Sequence, residues 1–160
     1  MKIFACLKRV LPLATAAALL GGCISLNFGR PVTEEEIILR EQIRSYYDEV
    51  GAAFAAGNSD LLADLYDAGI ARPMTQDKIR AWGADFFKKH GPASFKLVKI
   101  DFEQVGHVTS VVTIVYRVET RDGEGSFGGA ERDELIQRTG RHWYVTGWDK
   151  LPDEPSKKKS

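Results

Sequence analysis

Between positions 33 and 151 the spacing of apolar residues changes once, at Pro92. Before it they recur every three or four positions. Thr33-Glu34-Glu35-Glu36 reads as a capping box, with Thr33 as N-cap and Glu36 reaching back. Leu39, Ile43, Tyr46/Tyr47, Val50 and Phe54 then form one stripe of a long helix, which Gly57-Asn58 stops. A short helix is predicted over 59–67, with Leu61, Leu62, Leu65 and Tyr66 apolar. A third follows Arg72-Pro73, with Thr75 as N-cap, Met74 and Ile79 as a hydrophobic staple, and Ile79, Trp82, Phe86 and Phe87 on its buried side. His90-Gly91-Pro92 closes it.

After Pro92 the period becomes two. Val98, Ile100 and Phe102 alternate with Lys99, Asp101 and Glu103, predicting a strand with one wet face. Gly106-His107 turns the chain. The strongest strand is predicted over 108–120, with Val112, Ile114, Tyr116 and Val118 on one face. Asp122-Gly123 signals a hairpin. A third strand is expected over 127–138, where Gly128-Gly129 permits a bulge. Thr139-Gly140 turns again, and the last strand is expected over 142–149. Three helices followed by a four-stranded meander make an α+β chain, whose sheet buries its apolar face by curving around the helices. Residues 152–160 are expected to be a disordered tail.

The first 22 residues have a different character. Lys2, Lys8 and Arg9 precede an apolar stretch from Val10 to Leu20, and no acid occurs before Glu34. This is the layout of a secretory signal. About 11 apolar residues fall short of the roughly 20 that span a bilayer, and Pro12 weakens a stable span further. Leu20-Gly21-Gly22-Cys23 resembles the lipobox of bacterial lipoproteins. The resemblance implies diacylglycerol on the Cys23 sulfur, cleavage before Cys23, acylation of its amine, and a membrane partner. Residues 23–32 become a lipidated tether, and 33–151 the domain. Ile24, rather than Asp, after the cysteine implies the outer membrane facing the periplasm, if the organism has two membranes. Cys6 leaves with the signal and Cys23 is consumed by lipid, so no thiol remains for a disulfide, metal or nucleophile.

Removing the signal leaves a chain of net charge −3. No basic stripe lies on an aromatic platform, so nucleic acid is not an expected partner. Lys157-Lys158-Lys159 reads as a solvated tail.

The mature chain is similar to the NTF2-like (SnoaL-like, cystatin-like) α+β cones. The similarity is carried by Ile43-Arg44-Ser45-Tyr46-Tyr47, by the run from Ala56-Gly57-Asn58 to Tyr66, and by Gly140-Arg141-His142-Trp143-Tyr144-Val145 with Trp148. It implies a curved sheet around a long helix, a pocket at the open end, and a homodimer through the outer sheet face. It does not supply a function.

Candidate chemistry is sparse. His90, His107 and His142 have no ligand spacing, so no metal and no cofactor is expected. No phosphate-cradling glycine loop or nucleophile elbow occurs. Family enzymes use an acid or histidine base with a phenol or acid as oxyanion donor, but no residue here matches a catalytic motif. Glu131 and Asp133 share one strand face; near Arg132 and Arg138 they read as surface charge, and an acid in the pocket would be one of these two. Tyr47, Trp82, Phe86, Tyr116 and Trp148 are core aromatics that also serve as pocket candidates. The expectation is a lipid-anchored, non-catalytic domain binding a small apolar ligand or a protein partner. The alternatives are an isomerase or dehydratase type of acid–base enzyme and a structural module of an envelope assembly. A buried carboxylate facing a tyrosine across the pocket separates the enzyme from the others.

Overall fold

The long apolar stripe forms helix α1 (Glu34–Ala56). The Glu36 N–H donates to Thr33 Oγ1 at 3.2 Å, and the Glu36 carboxylate accepts from Arg40 at 2.6 Å. Leu39, Ile43, Tyr46, Tyr47, Val50, Ala53 and Phe54 are buried. Each large side chain removed from water there stabilises the fold by roughly 1.5–3 kcal/mol. Gly57 ends the helix in the left-handed region, at φ 62°, where a Cβ is disfavoured. Asn58 caps the next helix, α2 (Ser59–Asp64), through its side-chain oxygen. Helix α3 (Gln76–His90) starts on Thr75, and its last turn carries Lys88, Lys89 and His90, cations suited to a helix C-terminus.

The computed structural model describes residues 31–138 and 142–152. The expected signal, the lipobox with Cys23, the Thr139-Gly140 turn and all but Pro152 of the expected tail lie outside the described residues. Among the described residues no helix is long and apolar enough to cross a membrane.

Four strands follow: β1 (Ala93–Gln104), β2 (Thr109–Thr120), β3 (Phe127–Gln137) and β4 (Trp143–Leu151). They pair antiparallel in the order β1-β2-β3-β4. The fold is thus the expected α+β arrangement of three helices and a curved four-stranded antiparallel sheet. Helix α1 packs mainly on β1, and the core lies between helix and sheet. Register shifts fall at Leu97/Lys99 and Phe102/Gln104 in β1, and opposite Glu134/Leu135 in β4. Each is a bulge that bends its strand and adds twist, which wraps the sheet around α1.

One bulge corrects the sequence reading. Val98 was expected on the apolar face of its strand, but it is the extra residue between Leu97 and Lys99 and is 64% exposed. The strand begins at Ala93, and Phe95 and Leu97 supply its inner face before the bulge, Ile100 and Phe102 after it. The short helix ends at Asp64 rather than 67. Beyond it, Tyr66 forms an isolated bridge with Val145.

Candidate functional site

A cavity of about 160 Å³ lies between α1, the α2–α3 segment and the concave face of the sheet. Its walls are mostly apolar, among them Val50, Phe54, Leu62, Met74, Ile79 and Ile114. Two carboxyl groups, Glu131 and Asp133, and four phenols, Tyr46, Tyr47, Tyr66 and Tyr116, supply the polar lining. A cavity of roughly 150 Å³ in a protein core holds one benzene ring, so this one suits a ligand built on a single ring.

The strand register puts the acids inside. Tyr116 lies opposite Gly129, Ile114 opposite Glu131 and Val112 opposite Asp133, so both carboxyls share the apolar face of β2. On the other flank Trp148 pairs with Asp133, and Lys150 with Glu131. The outer face of β3 carries the counter-charges: Arg132 bonds Glu103 at 2.9 Å and lies 3.5 Å from Glu134. Reading Glu131 and Asp133 as surface charge is therefore corrected. Asp133 is only 4% exposed, and Glu131 is half-buried.

Each acid takes a phenol. The Tyr47 hydroxyl, on α1, donates to Asp133 Oδ2 at 2.6 Å. The Tyr116 hydroxyl, on β2, donates to Glu131 Oε1 at 2.7 Å. Burial pushes the Asp133 carboxyl up to about 7; the Tyr47 hydrogen bond opposes that rise and the nearby Glu131 adds to it. Burial also raises Glu131, against the Tyr116 hydrogen bond and the Lys150 charge. All four phenols are pushed above their ordinary value, chiefly by burial, so they remain hydrogen-bond donors at any physiological pH. Among the described residues no hydrogen bond engages Asp133 Oδ1, the Tyr46 hydroxyl or the Tyr66 hydroxyl. All three belong to residues that line the cavity.

Local structure fixes the phenols. Tyr46 and Tyr47 are adjacent on α1 with their rings edge to face, 5.0 Å apart. Tyr66 is held by its bridge to Val145, by the Gln76 amide donating to its carbonyl at 3.0 Å, and by the Asp67 N–H donating to the Val145 carbonyl at 2.9 Å. Arg138 clamps Asp67 at 2.6 Å. On α3, Arg80 gathers Asp60, Asp64 and Asp77, tying α2 to α3.

Of the aromatic candidates, Tyr47, Trp82, Tyr116 and Trp148 line the cavity. Trp82 is 38% exposed, so the cavity reaches the surface beside it. Phe86 does not line it: that ring stacks behind Trp82, 5.3 Å away, because α3 turns it one helical turn further toward Phe54 and Phe127. Tyr46, Tyr66, Phe95 and Phe127 were not singled out as pocket residues, and all four line it. Their sequence signal was present: Tyr46 belongs to the α1 stripe, and Phe95 precedes the bulge that hid the start of β1. His90 meets Asp122 at 3.3 Å and His107 meets Glu35 at 3.4 Å, both away from the cavity. Among the described residues no cluster of His, Cys, Asp and Glu could hold a metal ion.

No family model matches the sequence, nor does any curated protein. Solved structures share the fold. A protein of unknown function from Mycobacterium tuberculosis superposes with a TM-score of 0.62 at 12% identity, over 75% of this chain and 79% of that one. A scytalone dehydratase-like protein from Novosphingobium aromaticivorans gives 0.60 at 12% identity, over 72% and 86%. A domain of unknown function with a cystatin-like fold from Nostoc punctiforme gives 0.58 at 11% identity, over 74% and 80%. At such identities the likeness is one of fold.

Proposed function

We propose that the domain is an acid–base enzyme of the isomerase or dehydratase type, acting on a small single-ring ketone or hydroxy compound inside the cone. The observation that carries the reading is the buried Asp133 carboxyl, bonded by Tyr47 at one oxygen and open to the cavity at the other. A base works best when its pKa lies near the working pH, and burial holds Asp133 at about 7. Asp133 Oδ1 takes a proton from the carbon next to a ring carbonyl. The C–H electron pair moves into a carbon–carbon double bond, and negative charge collects on the carbonyl oxygen. The Tyr46 and Tyr66 hydroxyls donate to that oxygen, the kind of preorganised stabilisation that enzymes use for forming oxyanions. Tyr47 stabilises the carboxylate before transfer. Where the ring carries a β,γ double bond, the enolate extends to the γ-carbon, and returning the proton there shifts the double bond into conjugation; where it carries a β-hydroxyl, that group leaves with the proton as water.

The test needs no natural substrate. Small cyclic ketones such as cyclohexanone exchange their α-protons in deuterated water, which proton NMR follows. The protein is expected to accelerate the exchange above buffer, and Asp133→Asn to slow it by about 100-fold or more. A bound ketone whose exchange is no faster than in buffer sinks the catalytic reading. Non-catalytic binding would then stand, and it has its own support: Tyr47 and Tyr116 each satisfy one oxygen of an acid that lines the cavity.

The lipobox around Cys23 supports a working place at the membrane surface of the cell envelope. Cys23→Ala is expected to abolish labelling by radioactive palmitate and to leave uncleaved precursor; normal processing of that variant would refute the anchor.

A further inference from the structure

We infer that Glu131 seats a cation in the cone, so that the ligand is a small single-ring amine bound in its ammonium form. The inference rests on the reading of the cone as a small-molecule site, and adds the charge of what enters it. The lining carries charge of one sign. Of its sixteen residues nine are aromatic, two are the acids Glu131 and Asp133, and none is a lysine, arginine or histidine. An anion entering this space meets two carboxyl groups and no positive partner. A neutral ring gains apolar contact and leaves both acids without a counter-charge. Acids taken out of water ordinarily have one, and those elsewhere on this domain do: Glu119 has Lys96, Glu103 has Arg132 and Asp67 has Arg138. Asp133 and Glu131 have phenols instead, and neither forms a salt bridge among the described residues. Lys150 stands opposite Glu131 in the ladder, but it does not line the cavity and acts on Glu131 less than burial and the Tyr116 hydrogen bond do.

Glu131 is the better placed of the two acids. Its Oε1 accepts from Tyr116, and among the described residues no hydrogen bond engages Oε2. It is half-buried, whereas Asp133 is 4% exposed; stripping an ion of all its water costs several kcal/mol, so the half-buried acid receives a cation more cheaply. An aromatic wall leads from the surface to it. Trp82 is 38% exposed; Phe127 lies 6.0 Å from Trp82 and 6.2 Å from Tyr116, nearly at right angles to both. Rings of this kind attract an organic ammonium through their π faces, and more strongly where water is excluded. Deeper in, Tyr46 is 3% exposed and its hydroxyl has no hydrogen-bond partner among the described residues, although the residue lines the cavity. Tyr46 feels the Asp133 charge more than that of Glu131, so this hydroxyl belongs to the Asp133 end. A ring with an ammonium at Glu131 and an oxygen at Tyr46 leaves Asp133 free to act as the base.

Benzylamine, benzyl alcohol and benzoate share one ring and are cationic, neutral and anionic at neutral pH. Each is titrated by calorimetry against the full chain in detergent. Wild-type protein is expected to bind the amine about tenfold more tightly than the alcohol, the contrast that one hydrogen bond to a charged group supports, and the benzoate most weakly. Glu131→Gln keeps an oxygen for the Tyr116 hydroxyl and is expected to bring the amine to within about twofold of the alcohol; Asp133→Asn is expected to retain most of the preference. Equal binding of amine and alcohol by the wild type, tighter binding of benzoate, or a preference that survives Glu131→Gln overturns the inference and leaves the cone a small-molecule site still open to the ketone-exchange test. The wild-type comparison decides the matter even where a variant does not fold. Failure of all three compounds to bind overturns the small-molecule reading itself, and this inference with it.

Discussion

Replacing Asp133 with asparagine removes an ionisable group from the cavity while keeping its shape and an oxygen for the Tyr47 hydroxyl. The folded-state carboxyl sits at about 7, against 3.8 when unfolded. Below 3.8 both states hold the proton. Above it the unfolded chain releases the proton while the folded chain keeps it, so the stabilising contribution is complete at low pH and is lost as pH rises through the folded value. Each unit of displacement is worth about 1.4 kcal/mol, so the whole loss is about 4 kcal/mol, of which about 3 kcal/mol falls between pH 5 and pH 8. That is a large fraction of the roughly 5–15 kcal/mol that holds a domain together. Urea titrations followed by tryptophan fluorescence, run for wild type and Asp133→Asn at both pH values, isolate the effect as a difference of differences. The variant is expected to gain about 3 kcal/mol on the wild type between pH 5 and pH 8. Parallel pH dependences would show that Asp133 is ionised in an ordinary, solvated way, and would refute both its burial and its role as a base near neutrality.

Tyr47→Phe removes the donor to Asp133 Oδ2 and is expected to cost about 1–3 kcal/mol. Because that bond opposes the rise of the carboxyl, the midpoint of the stability–pH curve is expected to move further up; an unmoved midpoint would count against the 2.6 Å contact. Gly57→Ala forces a Cβ into the left-handed region and to 3.2 Å from Pro92 Cγ. It is expected to cost about 1–2 kcal/mol, read as a lower urea midpoint with unchanged slope.

Helix α1 and strand β2 were legible because their apolar period matches their geometry over many residues, so each buried position announces its face. Val98 was misread because a bulge inserts one residue and inverts the alternation after it, and nothing in Leu97-Val98-Lys99 marks the insertion. The acids were misread for a different reason. Charged residues beside arginines were assigned to the surface by type, although the hairpin signal already contained the register. A tight turn centred on Asp122-Gly123 places Val118 opposite Phe127, and then Ile114 opposite Glu131 and Val112 opposite Asp133, which is the pairing observed. The cavity itself was not legible, because it depends on how far α2 and α3 stand from the sheet, a distance no local pattern encodes.

Gly57 and Pro92 touch, so the chain leaves the α1–sheet frame and rejoins it at a single point. Between them, residues 58–91 form an excursion that contributes Leu62, Tyr66, Met74, Ile79 and Trp82 to the cavity. Asp133, Tyr47 and Glu131 belong to the frame. Most of the apolar wall of the cavity and its two carboxyl groups are therefore carried by separable stretches of one gene: recombination or drift within a block of about a hundred bases can reshape what fits the cone, at the risk of one phenol, Tyr66, while Asp133, Glu131 and Tyr47 are inherited unchanged.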